Sequence, residues 1–216
     1  MSLVTLFQFL LDLLFPQKSS VRELECMDAS SFSARAEKTE GFAGKDIISC
    51  FNYRDALVRE AIWELKYKGN KKVAALLGTA LYDELLAFLE EYAPLTNFTD
   101  PLLIPIPLSK KRESERGFNQ CRLLTDVLTT LDEERNFKLS LALKKIKDTQ
   151  SQTKSDSRKK RLDNLKGCFE ASRTEIEGRN IILIDDVATT GATLEEARKT
   201  LRAAGAKKVI CFTVAH

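Results

Sequence analysis

Histidine is nearly absent from this chain of 216 residues, since the only one is His216. Ser-His-Asp and Cys-His arrangements need an imidazole beside the nucleophile, and histidine is the commonest side-chain ligand of metal ions. We therefore expect neither arrangement from one histidine at the last position, and no metal site built on several histidines. If the chain is an enzyme, we expect its chemistry to use carboxylates, backbone amides and cations, with or without a bound metal ion.

Closely spaced cysteine pairs are also lacking, because none of the five cysteines lies within three residues of another. They are Cys26, Cys50, Cys121, Cys168 and Cys211. This spacing excludes a C-x-x-C metal knuckle, and the odd number favours reduced thiols in the cytoplasm. We expect these side chains to act as small buried apolar groups.

Long apolar runs are lacking as well. The longest, residues 3–15, has no Lys or Arg before it and no small-residue cleavage site after it, so a secretory signal fits poorly. As a helix it would span about 20 Å, which is shorter than the roughly 30 Å hydrocarbon core of a membrane. Gln8 and Asp12 interrupt it. We expect a helix packed on the domain; the alternative is a helix that lies on a membrane surface or docks to a partner.

What is present is a balanced globular composition with an uneven distribution of charge. Apolar residues make up 44% and charged residues 30%, and the length suits one α/β domain. The net charge is only +3, but residues 138–166 hold ten cations and three aspartates, so this segment is +7 and the remainder is −4. Residues 150–157 contain no apolar side chain, and long polar loops in compact domains are usually functional or disordered.

Apolar periodicity predicts the secondary structure. Helices are expected over residues 55–68, 72–92, 118–131 and 194–204, and strands over 102–106, 180–184 and 209–214. Asp55 and Gly69 suit the two ends of the first helix, and Pro94 is expected to end the second. Residues 17–46 look like a loosely ordered connector. The strand–helix–strand order of the last third predicts a βαβ unit with a parallel sheet.

The segment after residue 184 has the pattern of a phosphate site. Asp185 and Asp186 are expected in a loop that continues to Thr193 and opens a helix. A helix N-terminus offers backbone N–H groups to a phosphate, and Gly191 permits close approach. The spacing suits carboxylates that bind the hydroxyls of a ribose whose phosphate lies in the turn. Thr193 and Glu196 also match a capping box. The candidate phosphate ligands are Ala188, Thr189, Thr190, Gly191, Ala192 and Thr193.

Residues 181–194 (IILIDDVATTGATL) resemble the phosphoribosyl pyrophosphate (PRPP) motif of type I phosphoribosyltransferases. Three further segments resemble the ComF family, phosphoribosyltransferase-like proteins linked to DNA uptake. They are residues 51–69, which end in LKYKG, residues 103–120, which end in RGFNQ, and residues 149–169. The resemblance covers about residues 51–216, and residues 9–16 weakly.

This resemblance implies a fold, a ligand and a set of site residues. The fold would be a parallel-sheet, Rossmann-like α/β core with helices on both faces. The ligand would be PRPP or a similar phosphoribosyl compound with Mg²⁺, bound by Asp185 and Asp186 as candidate catalytic residues. A pyrophosphate loop would consist of Ser109, Lys110, Lys111 and Arg112. A lid over residues 144–166 would bring Arg158, Lys159, Lys160 and Arg161 to the phosphates. The acceptor of a phosphoribosyl transfer is not identifiable.

One departure from the family concerns zinc. Most ComF proteins carry a four-cysteine zinc module near the N-terminus, whereas here only Cys26 and Cys50 precede residue 121. Two thiols cannot close a tetrahedral site, so we expect no zinc. Residues 1–50 are interpreted as a degenerate form of that region, and residues 51–216 as the phosphoribosyltransferase-like domain.

Two functions follow. In the first, the protein binds PRPP and acts in DNA uptake, with or without transfer of the phosphoribosyl group to an unidentified acceptor. The alternative is a non-catalytic module that holds single-stranded DNA along residues 138–166 or docks to uptake proteins. That segment has no aromatic residue, which favours phosphate contacts over base stacking. Trp63, Tyr67 and Phe118 could supply rings if exposed, but the amphipathic pattern predicts that Trp63 packs in the core.

Overall fold

A parallel sheet of five strands forms the centre of the molecule. The computed structural model describes residues 19–39, 47–148 and 165–216. The strands of the sheet are β1 (Ile47–Phe51), β2 (Leu102–Pro105), β3 (Lys138–Leu139), β6 (Asn180–Val187) and β7 (Lys208–Ala215). Their spatial order is β1-β7-β6-β2-β3. Two further strands, β4 (Leu143–Lys145) and β5 (Phe169–Ala171), form a separate antiparallel pair.

Helices connect these strands. They are α1 (Ser19–Cys26), α2 (Ala29–Arg35), α3 (Ala56–Trp63), α4 (Lys71–Thr96), α5 (Lys110–Arg116), α6 (Gln120–Leu131), α7 (Arg173–Ile176) and α8 (Ala192–Ala203). The predicted unit of strand, helix and strand in the last third is confirmed as β6, α8 and β7, with β6 and β7 parallel. None of the helices in the described ranges is long and apolar enough to cross a bilayer.

The sheet is buried on both faces. Ile182 and Ile184 of β6 pack into a core formed with α1 to α4 and α6. Ile181 and Leu183, which alternate with them, pack into a second core against α8 and β5. A strand covered on both faces reads as a continuous apolar run, which is why β6 was recognisable in the sequence. The predicted α/β class, with helices on both faces of a parallel sheet, is confirmed.

The interpretation of residues 17–46 as a loose connector is wrong where the structure describes them. Leu24 of α1 and Phe32 of α2 are buried in the first core. Asp28 caps α2 by accepting a hydrogen bond from the backbone N–H of Ser31. Each helix is too short to show a clear apolar period, so its stability comes from packing against the larger helices. Strand β1 belongs to the main sheet, so the boundary drawn after residue 50 falls inside it.

The helix ends give a mixed result. Asp55 accepts hydrogen bonds from the N–H groups of Leu57 and Val58, and Gly69 follows the helix with a φ of 58°. Both were predicted. The prediction that Pro94 ends α4 is wrong, because the helix continues to Thr96. A proline removes one backbone hydrogen bond, and so close to a helix end this loss is tolerated.

The prediction that Trp63 packs in the core is also wrong, because its side chain is 47% exposed. Helix α3 buries Val58, Ala61 and Ile62. Trp63 lies two positions after Ala61, about 200° further round the helix, so it points away from that face. Of the cysteines, four are buried as expected, but Cys26 is exposed.

Candidate functional site

The two neighbouring aspartates lie at the carboxyl end of the central strand. The expectation that they begin a loop is wrong, because β6 continues to Val187, and Asp185 pairs with Thr213 of β7. The sequence pattern ended the strand at the first charged residue, whereas the backbone ladder with β7 continues past it. Both aspartate side chains are buried. The strand therefore fixes their backbone before any ligand arrives.

Asp185 is held in a nearly dry environment. Its Oδ1 accepts a hydrogen bond of 2.9 Å from the backbone N–H of Asp186 and one of 3.3 Å from the thiol of Cys121. Burial raises the pKa of Asp185 well above its usual value, and the charge of Asp186 raises it further. Burial likewise raises the pKa of the Cys121 thiol well above its usual value. Cys121 is therefore a neutral hydrogen-bond donor and not a nucleophile.

Asp186 has a positive partner that the sequence analysis did not include. The Nζ of Lys66 lies 3.7 Å from Oδ2 of Asp186. This distance gives electrostatic attraction without a hydrogen bond, and no donor among the described residues bonds to that buried oxygen. The negative charge of Asp186 is the largest cause that raises the pKa of Lys66. Asp186 thus has a counter-charge and one oxygen able to accept a further hydrogen bond.

Lys66 reaches this position because α3 ends in a wider, π-helical turn over Glu64–Lys68. In this turn Leu65 is buried, Lys66 points toward Asp186 and Tyr67 points outward with 57% exposure. Gly69 ends the turn with a left-handed backbone, and a Cβ there would lie 2.8 Å from the ring of Phe118. The LKYKG segment therefore needs its glycine for both its backbone angle and the packing of Phe118.

The RGFNQ segment connects the same site to α6. Arg116 donates a 2.6 Å hydrogen bond to Oε1 of Gln120, and Nε2 of Gln120 lies 3.4 Å from Oδ1 of Asp186. Asn119 caps α6 through the backbone N–H of Cys121. The structure thus supplies the roles that the sequence left open: Asn119 orients the helix, and Gln120 links a cation to the carboxylate.

The candidate phosphate turn begins directly after β6. Gly191 adopts a left-handed φ of 70° at the start of α8, and Oγ1 of Thr190 accepts a 3.4 Å hydrogen bond from the N–H of Ala192. The prediction of a capping box at Thr193 and Glu196 is wrong, because α8 starts at Ala192 and Thr193 lies inside the helix. Glu196 instead accepts a hydrogen bond from the backbone N–H of Gly167. Ala188 is buried and Thr189 exposed. The six candidates thus comprise the turn over residues 188–191 and the first two residues of α8.

The candidate pyrophosphate residues were expected in a loop. The structure places them at the start of a short helix instead. Ser109 caps α5, and Lys110, Lys111 and Arg112 form its first turn. Oγ of Ser109 donates a 2.6 Å hydrogen bond to Asp148, whose other oxygen lies 4.0 Å from Nζ of Lys111. Ser109 and Lys111 thus contact Asp148, which lies within the basic segment 138–166. The lid candidates Arg158, Lys159, Lys160 and Arg161 lie outside the described residues.

Comparison with known proteins agrees with this geometry. A family model described as a phosphoribosyl transferase domain matches residues 123–216. Competence protein ComFC of Bacillus subtilis strain 168 is 32% identical over 169 residues, which cover 77% of this chain and 62% of that protein. Competence protein ComFC of Streptococcus pneumoniae is 30% identical over 192 residues, which cover 89% of this chain and 72% of that protein. The chain belongs to the ComF family.

A third relative of this ComF-family chain is DNA utilization protein YhgH of Escherichia coli O6:H1. It is 30% identical over 149 residues, which cover 68% of this chain and 62% of YhgH. The chain therefore spans less than two thirds of the Bacillus and Escherichia relatives. Its sheet and its sequence together assign a phosphoribosyltransferase-type fold.

The site of this ComF-family chain suits some metal ions better than others. Oxygen atoms of Asp185 and Asp186 and the sulfur of Cys121 lie within 4.8 Å of one another, and they are the candidate metal cluster found in the described part of the chain. Mg²⁺ prefers oxygen ligands, so the two carboxylates fit it and the thiol does not. Asp186 also has the buried oxygen without a hydrogen bond. Mg²⁺ therefore fits the carboxylates of this site, whereas one thiol falls short of a structural zinc site.

Sequence reasoning found the two aspartates and missed Lys66, Cys121 and Gln120 as their direct partners. These three lie between 64 and 120 positions earlier in the chain. The available signal was that LKYKG and RGFNQ both resemble ComF segments, which predicted importance but not contact. The contacts exist because the π-helical turn and the start of α6 both reach the carboxyl end of β6.

Proposed function

We propose that this chain binds PRPP or a similar phosphoribosyl ligand together with Mg²⁺, and that it serves DNA uptake. The observation that carries the proposal is the buried pair Asp185–Asp186 at the end of a central parallel strand, which a short turn connects to the N-terminus of α8. Ligands of open α/β sheets bind at the carboxyl ends of the strands.

Each part of the ligand has a chemical counterpart in this arrangement. The backbone N–H groups at the N-terminus of α8 suit the phosphate on the ribose. The carboxylates of Asp185 and Asp186 suit the two ribose hydroxyls, since an ionised carboxylate only accepts hydrogen bonds. Lys66 balances the charge of Asp186. Bound Mg²⁺ would neutralise charge on the pyrophosphate, with the two carboxylates as its protein partners.

The protonation state of Asp185 is expected to change when the ligand binds. Its raised pKa favours the neutral acid. A ribose hydroxyl that donates to the carboxylate and a nearby cation both favour its ionised form. At a pH below the raised pKa, ligand binding should therefore release a proton from Asp185.

The process in which the chain acts is proposed from its relatives. Two of them are named competence proteins and a third a DNA utilization protein. A role in the uptake or use of DNA is the common element of these names. We propose the same role for this chain.

Calorimetry with PRPP and Mg²⁺ tests the ligand. The double variant Asp185→Asn with Asp186→Asn should lower the affinity about 100-fold or more, because two charge-assisted hydrogen bonds are lost. The matched control is Asp83→Asn with Asp126→Asn, two aspartates on the outer parts of α4 and α6, which should bind as the unchanged protein does. Absence of PRPP binding in the unchanged protein, or equal affinity in the double variant, would contradict the proposal.

The alternative role, in which single-stranded DNA lies along residues 138–166, concerns a segment that is described only at its two ends. It predicts salt-dependent binding that falls when Lys159, Lys160 and Arg161 become Ala.

A further inference from the structure

Two aromatic side chains project into solvent from the end of α3 and its π-helical turn. Trp63 is 47% exposed and Tyr67 57% exposed. Their ring centroids are 5.6 Å apart and their planes are inclined by 45°. Within the described ranges, the other exposed large apolar side chains are Tyr53, Leu95, Leu141 and Ile146, which lie at least ten positions from this pair in sequence. Packing of the fold does not explain this pair, because the buried face of α3 lies on the opposite side.

Cations accompany both rings. Nζ of Lys68 lies 5.6 Å from the centre of the Trp63 ring, and Cζ of Arg116 lies 5.7 Å from the centre of the Tyr67 ring. Arg59 and Lys68 also line a cavity of about 810 Å³ beside Trp63. Glu60 and Glu64 line it too, but Glu64 is buried and Glu60 accepts a hydrogen bond from Ser20. Three cations therefore lie around the two rings, and two glutamates, of which Glu64 is buried, share the cavity with Arg59 and Lys68.

We infer that Trp63 and Tyr67 form a stacking platform for the bases of a single-stranded nucleic acid, with Arg59, Lys68 and Arg116 placed for its phosphates. Exposed rings bordered by cations are what single-strand binding uses, since every base has a face that stacks on an aromatic ring. The bases of a duplex are stacked on each other and cannot use such a platform. The inference goes beyond the proposed function, because it involves neither aspartate.

The platform also lies next to the aspartate pair. Tyr67 follows Lys66 in the chain, and Arg116 contacts both the Tyr67 ring and Gln120, which reaches Asp186. A bound strand would therefore run beside the proposed phosphoribosyl site. This arrangement allows both ligands to be measured separately on one protein.

Trp63 itself supplies the readout, because it is the only tryptophan of the chain. Titration with a twelve-residue oligo(dT) should quench its fluorescence as a base stacks on the ring. Tyr67→Ala should weaken binding of the labelled oligonucleotide about tenfold, as expected for the loss of one stacked base. Tyr67→Phe keeps the ring and should bind normally. Leu95→Ala removes an exposed apolar side chain on α4 and serves as the matched control.

Three further measurements identify the ligand. An oligomer with the same phosphates but no bases should bind much more weakly and leave the emission unchanged; equal binding would show phosphate contact alone and overturn the inference. Free dTMP should quench only at far higher concentration; equal affinity would assign a free nucleotide and overturn the single-strand occupant. Unchanged emission with oligo(dT) would also overturn the inference.

Thermal unfolding checks that Tyr67→Ala, Tyr67→Phe and Leu95→Ala fold as the unchanged protein does. Calorimetry with PRPP on the same preparations separates the two proposals. Quenching without PRPP binding contradicts only the proposed function, and PRPP binding without quenching contradicts only the platform.

Discussion

Lys66 and Tyr67 are neighbours in the chain, yet they belong to two very different environments. Lys66 points to a buried carboxylate, and its pKa is raised by that partner. Tyr67 points to solvent, and its ring contacts Trp63 and Arg116. The inner side of the π-helical turn is thus electrostatic and enclosed, and the outer side is aromatic and open. One turn of five residues can therefore serve two unrelated kinds of recognition.

The largest effect that distinguishes the two sides is expected at Lys66. Lys66→Met leaves Asp186 buried without its counter-charge. Removing one member of a buried pair costs about 3–5 kcal/mol, and we expect roughly 2 kcal/mol here because the lysine side chain is 35% exposed. Urea denaturation measures the change.

Lys68→Met provides the outer control and should change the free energy of unfolding by less than about 0.5 kcal/mol. Combining Lys66→Met with Asp186→Asn should recover much of the loss, because no uncompensated charge then remains. Equal effects of Lys66→Met and Lys68→Met would show that the two sides do not differ.

The next effect concerns the glycine that ends the turn. Gly69→Ala should destabilise the protein by about 2 kcal/mol, of which roughly 1 kcal/mol comes from the left-handed backbone and the rest from the Phe118 ring at 2.8 Å. Gly178→Ala is the matched control, since Gly178 also has a positive φ, of 74°, but no atom within 4 Å of its Cβ position. Equal unfolding free energies for the two variants would contradict the packing role of Phe118.

The smallest effect is a gain in stability at Asp185 that depends on pH. The folded-state pKa of Asp185 is raised by burial, so its contribution to stability is present at low pH and declines as pH rises through that pKa. Asp185→Asn, which stays neutral, should therefore be more stable than the unchanged protein by roughly 0.5–2 kcal/mol at neutral pH, and less so in acid. Denaturation at several pH values in metal-free buffer checks this. A difference that does not grow with pH would contradict it.

The sequence predicted those features that depend on neighbouring residues. Asp55, Gly69 and the β6–α8–β7 unit were found because a cap, a helix end and an apolar run each occupy a few consecutive positions. Pro94 and Thr193 show the limit of such rules, since each fits a local pattern that the surrounding helix overrides. The position of a helix end depends on packing over its whole length, as in α4.

The aspartate pair was predicted, whereas its surroundings were not. Lys66 and Cys121 contact the aspartates through tertiary packing, which no local spacing encodes. Trp63 was misplaced for the same reason, because the pattern of α3 shows an apolar face but not how far around the helix that face extends. The lid candidates lie outside the described residues and remain predictions, as does the absence of zinc.

Strand β6 has a further consequence for the cost of recognition. It lies between β7 and β2, and its pairing with β7 extends through the residues that carry the carboxylates. The backbone there has already lost its conformational freedom during folding, so a ligand does not have to order it again. If the proposed phosphoribosyl ligand binds at the aspartates, the entropy lost there would come mainly from the ligand, because folding has already ordered the backbone that holds them.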